Sequence, residues 1–121
     1  MKNFINDWVG REIGDQNVRK EFAADLKGAL AGMCRRIGFK VVRFLESKSG
    51  ESFTAVLVDG ESKQHFAVGV LDVDGSGAWA NRVTYRAVAG KNDLNGGTAN
   101  VCRLTQLETE LKKAAQMYRA A

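Results

Sequence analysis

Four acidic residues sit at the bends of VLVDGESKQHFAVGVLDVDGSGAW, residues 56–79: Asp59, Glu61, Asp72 and Asp74. Carboxylates so placed could hold a cation, activate water, or only let the chain reverse between strands. DVDGSG sets Asp72, Asp74 and Ser76 at alternate positions with Gly77 in a later one, as a calcium loop opens. Val83 stands where that loop needs its bidentate glutamate, and Asp-Gly between strands is also a common hairpin turn. Glu61 with Lys63, and Glu46 with Lys48, have the acid-x-lysine spacing of metal-dependent nucleases. Glu61 and Lys63 fall in a short connection, where charged side chains are simply solvated. The expectation is no metal and no cofactor, with a metal-dependent nuclease or a small-ligand-binding domain as the more remote alternative.

Other catalytic signatures are equally thin. His65 is the single histidine, and neither G-x-S-x-G nor H-E-x-x-H surrounds it. LNGG lacks the lysine of a phosphate loop. Cys34 falls in a helical pattern and Cys102 in an apolar run, so both read as inert core thiols. No residue is assigned a catalytic role. The side chains suited to recognition are Trp8, as the anchor of an N-terminal docking helix, and Arg43, Arg82 and Arg86 on strands.

The elements that must position them follow from periodicity. MKNFINDWVGREIG places Met1, Phe4, Ile5, Trp8, Val9 and Ile13 on one helical face, with Gly14 as a stop. Phe22, Leu26, Ala29, Leu30, Met33 and Ile37 predict a helix over about 17–37, capped by Asn17 and closed by Gly38. Gly28 and Gly32 thin one side of it, as if another backbone came close. Beyond Gly38 the period drops to two. FKVVRFLES, SFTAVLV, QHFAVGVLDV and AWANRVTYRAV are strands joined by connections too short for a parallel crossover. Residues 98–104 are either a short fifth strand or the first turn of the last helix, and the strand is favoured because Thr105 with Glu108 forms a capping box that starts the helix after 105. Leu107, Leu111, Ala114 or Ala115, and Tyr118 make its buried stripe.

Alternation sorts the strands into two sets. Val42, Phe44, Val56, Val58, Phe66, Val68, Val70, Trp79, Val83 and Tyr85 form a bulky apolar face for the helices. Val41, Arg43, Leu45, Phe53, Ala55, Leu57, His65, Ala67, Gly69, Leu71, Arg82, Thr84 and Arg86 form a mixed face with arginines on the outer strands. Such a face is expected to be covered by the N-terminal helix, a second copy or a partner.

A chain of 121 residues with 45% apolar residues and a net charge of +4 predicts one domain, residues 1–121, needing no disulfide or metal. Its class is α+β: an antiparallel four- or five-stranded meander packed on one face by two long helices, plus a short N-terminal helix. No apolar run is long enough for a membrane span, and the N-terminus has no secretory core, so a cytoplasmic protein is expected. The leading functional expectation is a small non-enzymatic binding or adaptor protein, of the kind bacterial accessory genes encode. It would recognise a protein partner through the sheet face or N-terminal helix, as a homodimer. The alternative is a nucleic-acid-binding module using a basic strand face.

Overall fold

The computed structural model describes residues 2–13, 15–46, 52–71, 79, 81–93 and 99–120. The order is α1 (Lys2–Trp8), α2 (Gln16–Ile37), β1 (Phe39–Glu46), β2 (Ser52–Asp59), β3 (His65–Leu71), β4 (Arg82–Val88), β5 (Asn100–Cys102) and α3 (Leu104–Arg119). The α+β class, the fifth strand and the two long helices are as expected. The five strands form one antiparallel sheet in the order β1-β2-β3-β4-β5.

Local chemistry sets the helix ends. The α2 cap is Asp15, not Asn17: its Oδ1 accepts the Asn17 and Val18 amides at 2.9 and 3.2 Å. Gly38 closes α2 in the left-handed region, φ 77°, where its missing side chain avoids strain. Helix α1 stops earlier than its apolar stripe suggests. Gly10 turns at φ 79°, and residues 10 and 11 exchange backbone hydrogen bonds with Trp79. Val9 is thereby left exposed, while Ile13 is buried from a non-helical segment. Gly14 lies outside the described residues.

Helix α3 begins at Leu104, before the expected Thr105 box. Leu104 N–H donates to Asn81 Oδ1, ahead of β4, at 2.9 Å, and the N-cap Arg103 N–H donates to Gln106 Oε1 of the helix itself at 3.1 Å. Glu108 instead pairs with Arg36 of α2 at 2.8 Å. Among the described residues, a side chain at Gly28 would meet nothing within 4 Å and one at Gly32 only the ends of Arg35 and Arg36, so no described backbone packs where the glycines thin α2.

Packing fixes the faces of the sheet. Phe22, Leu26, Leu30 and Met33 of α2 and Leu104, Leu107 and Leu111 of α3 join Phe39, Phe53, Ala55, Leu57, Phe66, Val68, Val70 and Val83 in one core. Phe22 is central, with Phe4, Trp8, Phe53 and Trp79 rings all within 5.7 Å of its own. Strands β3 and β4 present the expected sets. Strand β2 is reversed: Phe53, Ala55 and Leu57 face the helices, and Val56 lies in a second cluster with Ala67, Val88 and Val42. Both alternating sets of β2 are apolar, so sequence alone could not choose between them. In β1 the register slips at Val42, a β-bulge, which puts Val41 and Phe44 in the core and Val42 on the other side.

Candidate functional site

Among the described residues one face of the sheet carries no helix, and the ladder registers define it residue by residue. Lys40 pairs with Val58 and Arg43 with Val56; Val56 pairs with Ala67, and Ala67 with Arg86. One row across the open face therefore reads Arg43, Val56, Ala67, Arg86. The next row is Leu45, Thr54, Gly69, Thr84, Val101. Arg82 alternates with core residue Val83 and so belongs to the same face.

Charge is sorted between the two sides. Lys40, Arg43, Arg82 and Arg86 are the cations of the described strands, and all four lie on the open face. The strand carboxylates, Glu46 and Asp59, lie opposite Phe53 and Phe39 on the helix side. Each meets a cation there, Glu46 with Arg19 at 3.6 Å and Asp59 with Arg119 at 2.7 Å. The bulge matters to this sorting. Unbroken alternation from Phe39 and Val41 would turn Arg43 toward the helices, and the extra residue at Val42 re-aims it outward. Among the described residues, the salt bridges include none of the four open-face cations.

The face is not simply bare. Arg43 reaches the connection after β4, its Nη1 donating to Lys91 O at 3.2 Å and Asn92 Oδ1 at 3.1 Å. That connection is turned by Asp93, whose Oδ2 accepts the Ala89 amide at 3.0 Å. Beneath these side chains Val56, Ala67 and Val88 are buried. A dent of about 130 Å³ remains, lined by Thr54, Ala67, Gly69, Thr84, Arg86 and Ala99. Gly69 is its floor: a Cβ there would stand 2.6 Å from Thr84 Oγ1. His65 lies on the same face, its Nδ1 3.2 Å from the Lys63 carbonyl oxygen.

The sequence-selected anchors divide. Arg43, Arg82 and Arg86 share the open face, whereas Trp8 does not join them. Trp8 is 1% exposed, edge-on to Phe22, with Nε1 donating to Asp25 Oδ2 at 2.9 Å and Arg11 over its ring at 4.2 Å. It is a core residue of its own chain and presents no anchor to a partner.

The carboxylates of the β2–β3 turn serve structure. Asp59 is fully buried and takes Arg119 Nε and Nη2 at 2.8 and 2.7 Å, Ser62 Oγ at 2.8 Å and the Glu61 amide at 3.2 Å. The guanidinium and these donors hold its carboxyl far below the usual carboxylate range. An acid so fixed and so fully bonded has no lone pair left for a substrate proton. Glu61 is exposed and lies 3.5 Å from Arg119, and Lys63 occupies the turn at φ 64°. Neither lines the cavities found among the described residues. Lys48, Asp72, Asp74, Ser76 and the LNGG segment lie outside the described residues.

Cys34 and Cys102 are free thiols. Burial pushes the Cys34 thiol up to about 11, leaving about one thiolate per thousand at pH 8. In the native protein at pH 8, Cys34 is expected to resist a thiol reagent for as long as the fold persists, and to react once urea unfolds it. Rapid labelling of native Cys34, located by mass spectrometry, would contradict this packing. Among the described residues, no helix is long and apolar enough to cross a membrane. Compared with protein-family models, with curated proteins and with solved structures, the chain matches none.

Proposed function

We propose that this protein is a non-enzymatic binding module that recognises an anionic macromolecule through the open face of its sheet. The observation that carries this reading is the charge sorting: four strand cations on one side, both strand carboxylates on the other. Sheet edges offer less. Strand β5 has three residues and β1 is bent by its bulge, and both features discourage strand addition. The N-terminal helix is committed to the core through Trp8. A homodimer through the open face is the weaker form of the proposal, because a two-fold interface would set one cationic face against another.

Immobilised heparin, a general polyanion, tests the reading. The triple variant Arg43→Glu, Arg82→Glu, Arg86→Glu should elute at clearly lower salt than a control carrying Lys20→Glu, Lys112→Glu and Lys113→Glu on exposed helix positions. The single variant Arg82→Glu, at an exposed site, repeats the comparison with little risk to folding. Equal elution of open-face and control variants would remove the proposal.

A further inference from the structure

The dent on the open face offers donors from three directions: the Thr54 hydroxyl on β2, the Thr84 hydroxyl on β4 and the Arg86 guanidinium one row away. Its volume, about 130 Å³, is well below the several hundred Å³ that enclose a whole small-molecule ligand. It suits one functional group of something larger. Hydroxyls and guanidinium groups are both regular partners of phosphate oxygens.

What surrounds the dent narrows the partner. Phe39, Phe44, Phe53, Phe66 and Tyr85, the aromatics of the described strands, all belong to the helix-side core. The open face therefore lacks the rings on which unstacked bases pile in single-strand recognition. It also lacks the buried aromatic anchors that dominate protein interfaces. The polar side chains of the row through the dent, Thr54 and Thr84, are hydroxyls that can meet a phosphate or a sugar. Arg43 and Arg86 stand in one row three strand spacings apart, roughly 14 Å between backbones. Two positive points at that separation can follow the phosphates of a wide duplex.

We infer that the open face binds the sugar-phosphate backbone of a nucleic-acid duplex, for which DNA serves as the probe, with one phosphate seated in the Thr54–Thr84–Arg86 dent over Gly69. This rests on the proposed polyanion-binding role of that face and names its partner. Recognition is of the backbone, not of base sequence, since no side chain in the dent is long enough to reach past a phosphate except Arg86.

Fluorescence anisotropy with a labelled 20-base-pair DNA duplex tests the inference. The expected dissociation constant is on the order of 10–100 µM near physiological salt, with a log–log salt slope of about −3 to −4 if all four cations meet phosphates. Arg86→Gln should flatten that slope by about one. Thr84→Val, which keeps shape and removes the hydroxyl, should weaken binding about two- to tenfold without moving the slope. A single strand of equal length should bind more weakly, and polyglutamate of matched charge should compete poorly.

Equal binding of the single strand, efficient competition by polyglutamate, or wild-type behaviour of both Arg86→Gln and Thr84→Val would overturn the inference. If the open-face variant had still lost heparin affinity, the broader reading would stand and only the duplex partner and its phosphate seat would fall. Indifference of the open-face variant toward heparin would sink both.

Discussion

Trp8→Ala lowers the free energy of unfolding by about 4 kcal/mol, the usual scale for deleting a buried large aromatic. The indole is almost fully enclosed, meets Phe22 edge-on at 5.2 Å and donates to Asp25 at 2.9 Å. Removing it opens a hole beside the most connected ring of the core and deletes a hydrogen bond to the exposed Asp25 carboxylate. For a chain of this size the melting temperature falls by more than about 10 °C. Trp8→Phe keeps much of the ring contact but loses the hydrogen bond, and falls between the two. Val9→Ala, at the neighbouring but exposed position, changes stability by less than about 0.5 kcal/mol. Urea titrations of the three variants check the series. A Trp8→Ala protein as stable as the parent would mean that α1 is not packed as described.

Asp59→Ala costs about 3 kcal/mol at neutral pH, near the lower end for breaking a buried ion pair from one side. The lower end applies because Arg119 is partly exposed and can turn its charge to water once its partner is gone. Arg119→Met is the worse lesion, since it leaves a carboxylate with no access to solvent and no counter-charge. The pair also dictates a pH dependence. The folded-state pKa of Asp59 is lowered, so its contribution is complete above the ordinary carboxylate value of about 3.9 and is lost as pH falls below it toward the depressed value. The stability gap between parent and Asp59→Ala should stay constant from pH 7 to 5 and close progressively below pH 4. A gap unchanged at pH 2.5 would refute the ion-pair account.

Much of the architecture can be read from the chain because period and punctuation agree. The stripe Phe22, Leu26, Leu30, Met33 and Ile37 has one solution as a helix, and Gly38 gives it one end. The short connections between valine-rich runs leave only antiparallel neighbours. What the chain conceals is decided by contacts distant in sequence. Nothing local distinguishes Phe53, Ala55 and Leu57 from Val56 and Val58 as the core set of β2. Two adjacent valines, Val41 and Val42, hide a bulge, and with it the direction of Arg43. Asn81 caps a helix 23 residues away. Trp8 is rich in contact area whether it faces a partner or its own core, and only the place of Phe22 beneath it settles which. The arginines Arg43, Arg82 and Arg86 could be singled out by type, but their sharing of one face awaited the register.

The spatial order of the strands repeats their order along the chain, and no connection between consecutive strands exceeds eleven residues. Each ladder can therefore zip onto the previous one at small entropic expense, which favours quick assembly of the sheet. The contact between Asp59 and Arg119 is of another kind, spanning 60 residues and requiring the sheet and the last helix to have met already. It is expected to form beyond the folding barrier, so that Asp59→Ala should speed unfolding in stopped-flow experiments and barely slow refolding. Formed there, it governs how long the assembled molecule stays closed, and has little influence on how fast it forms.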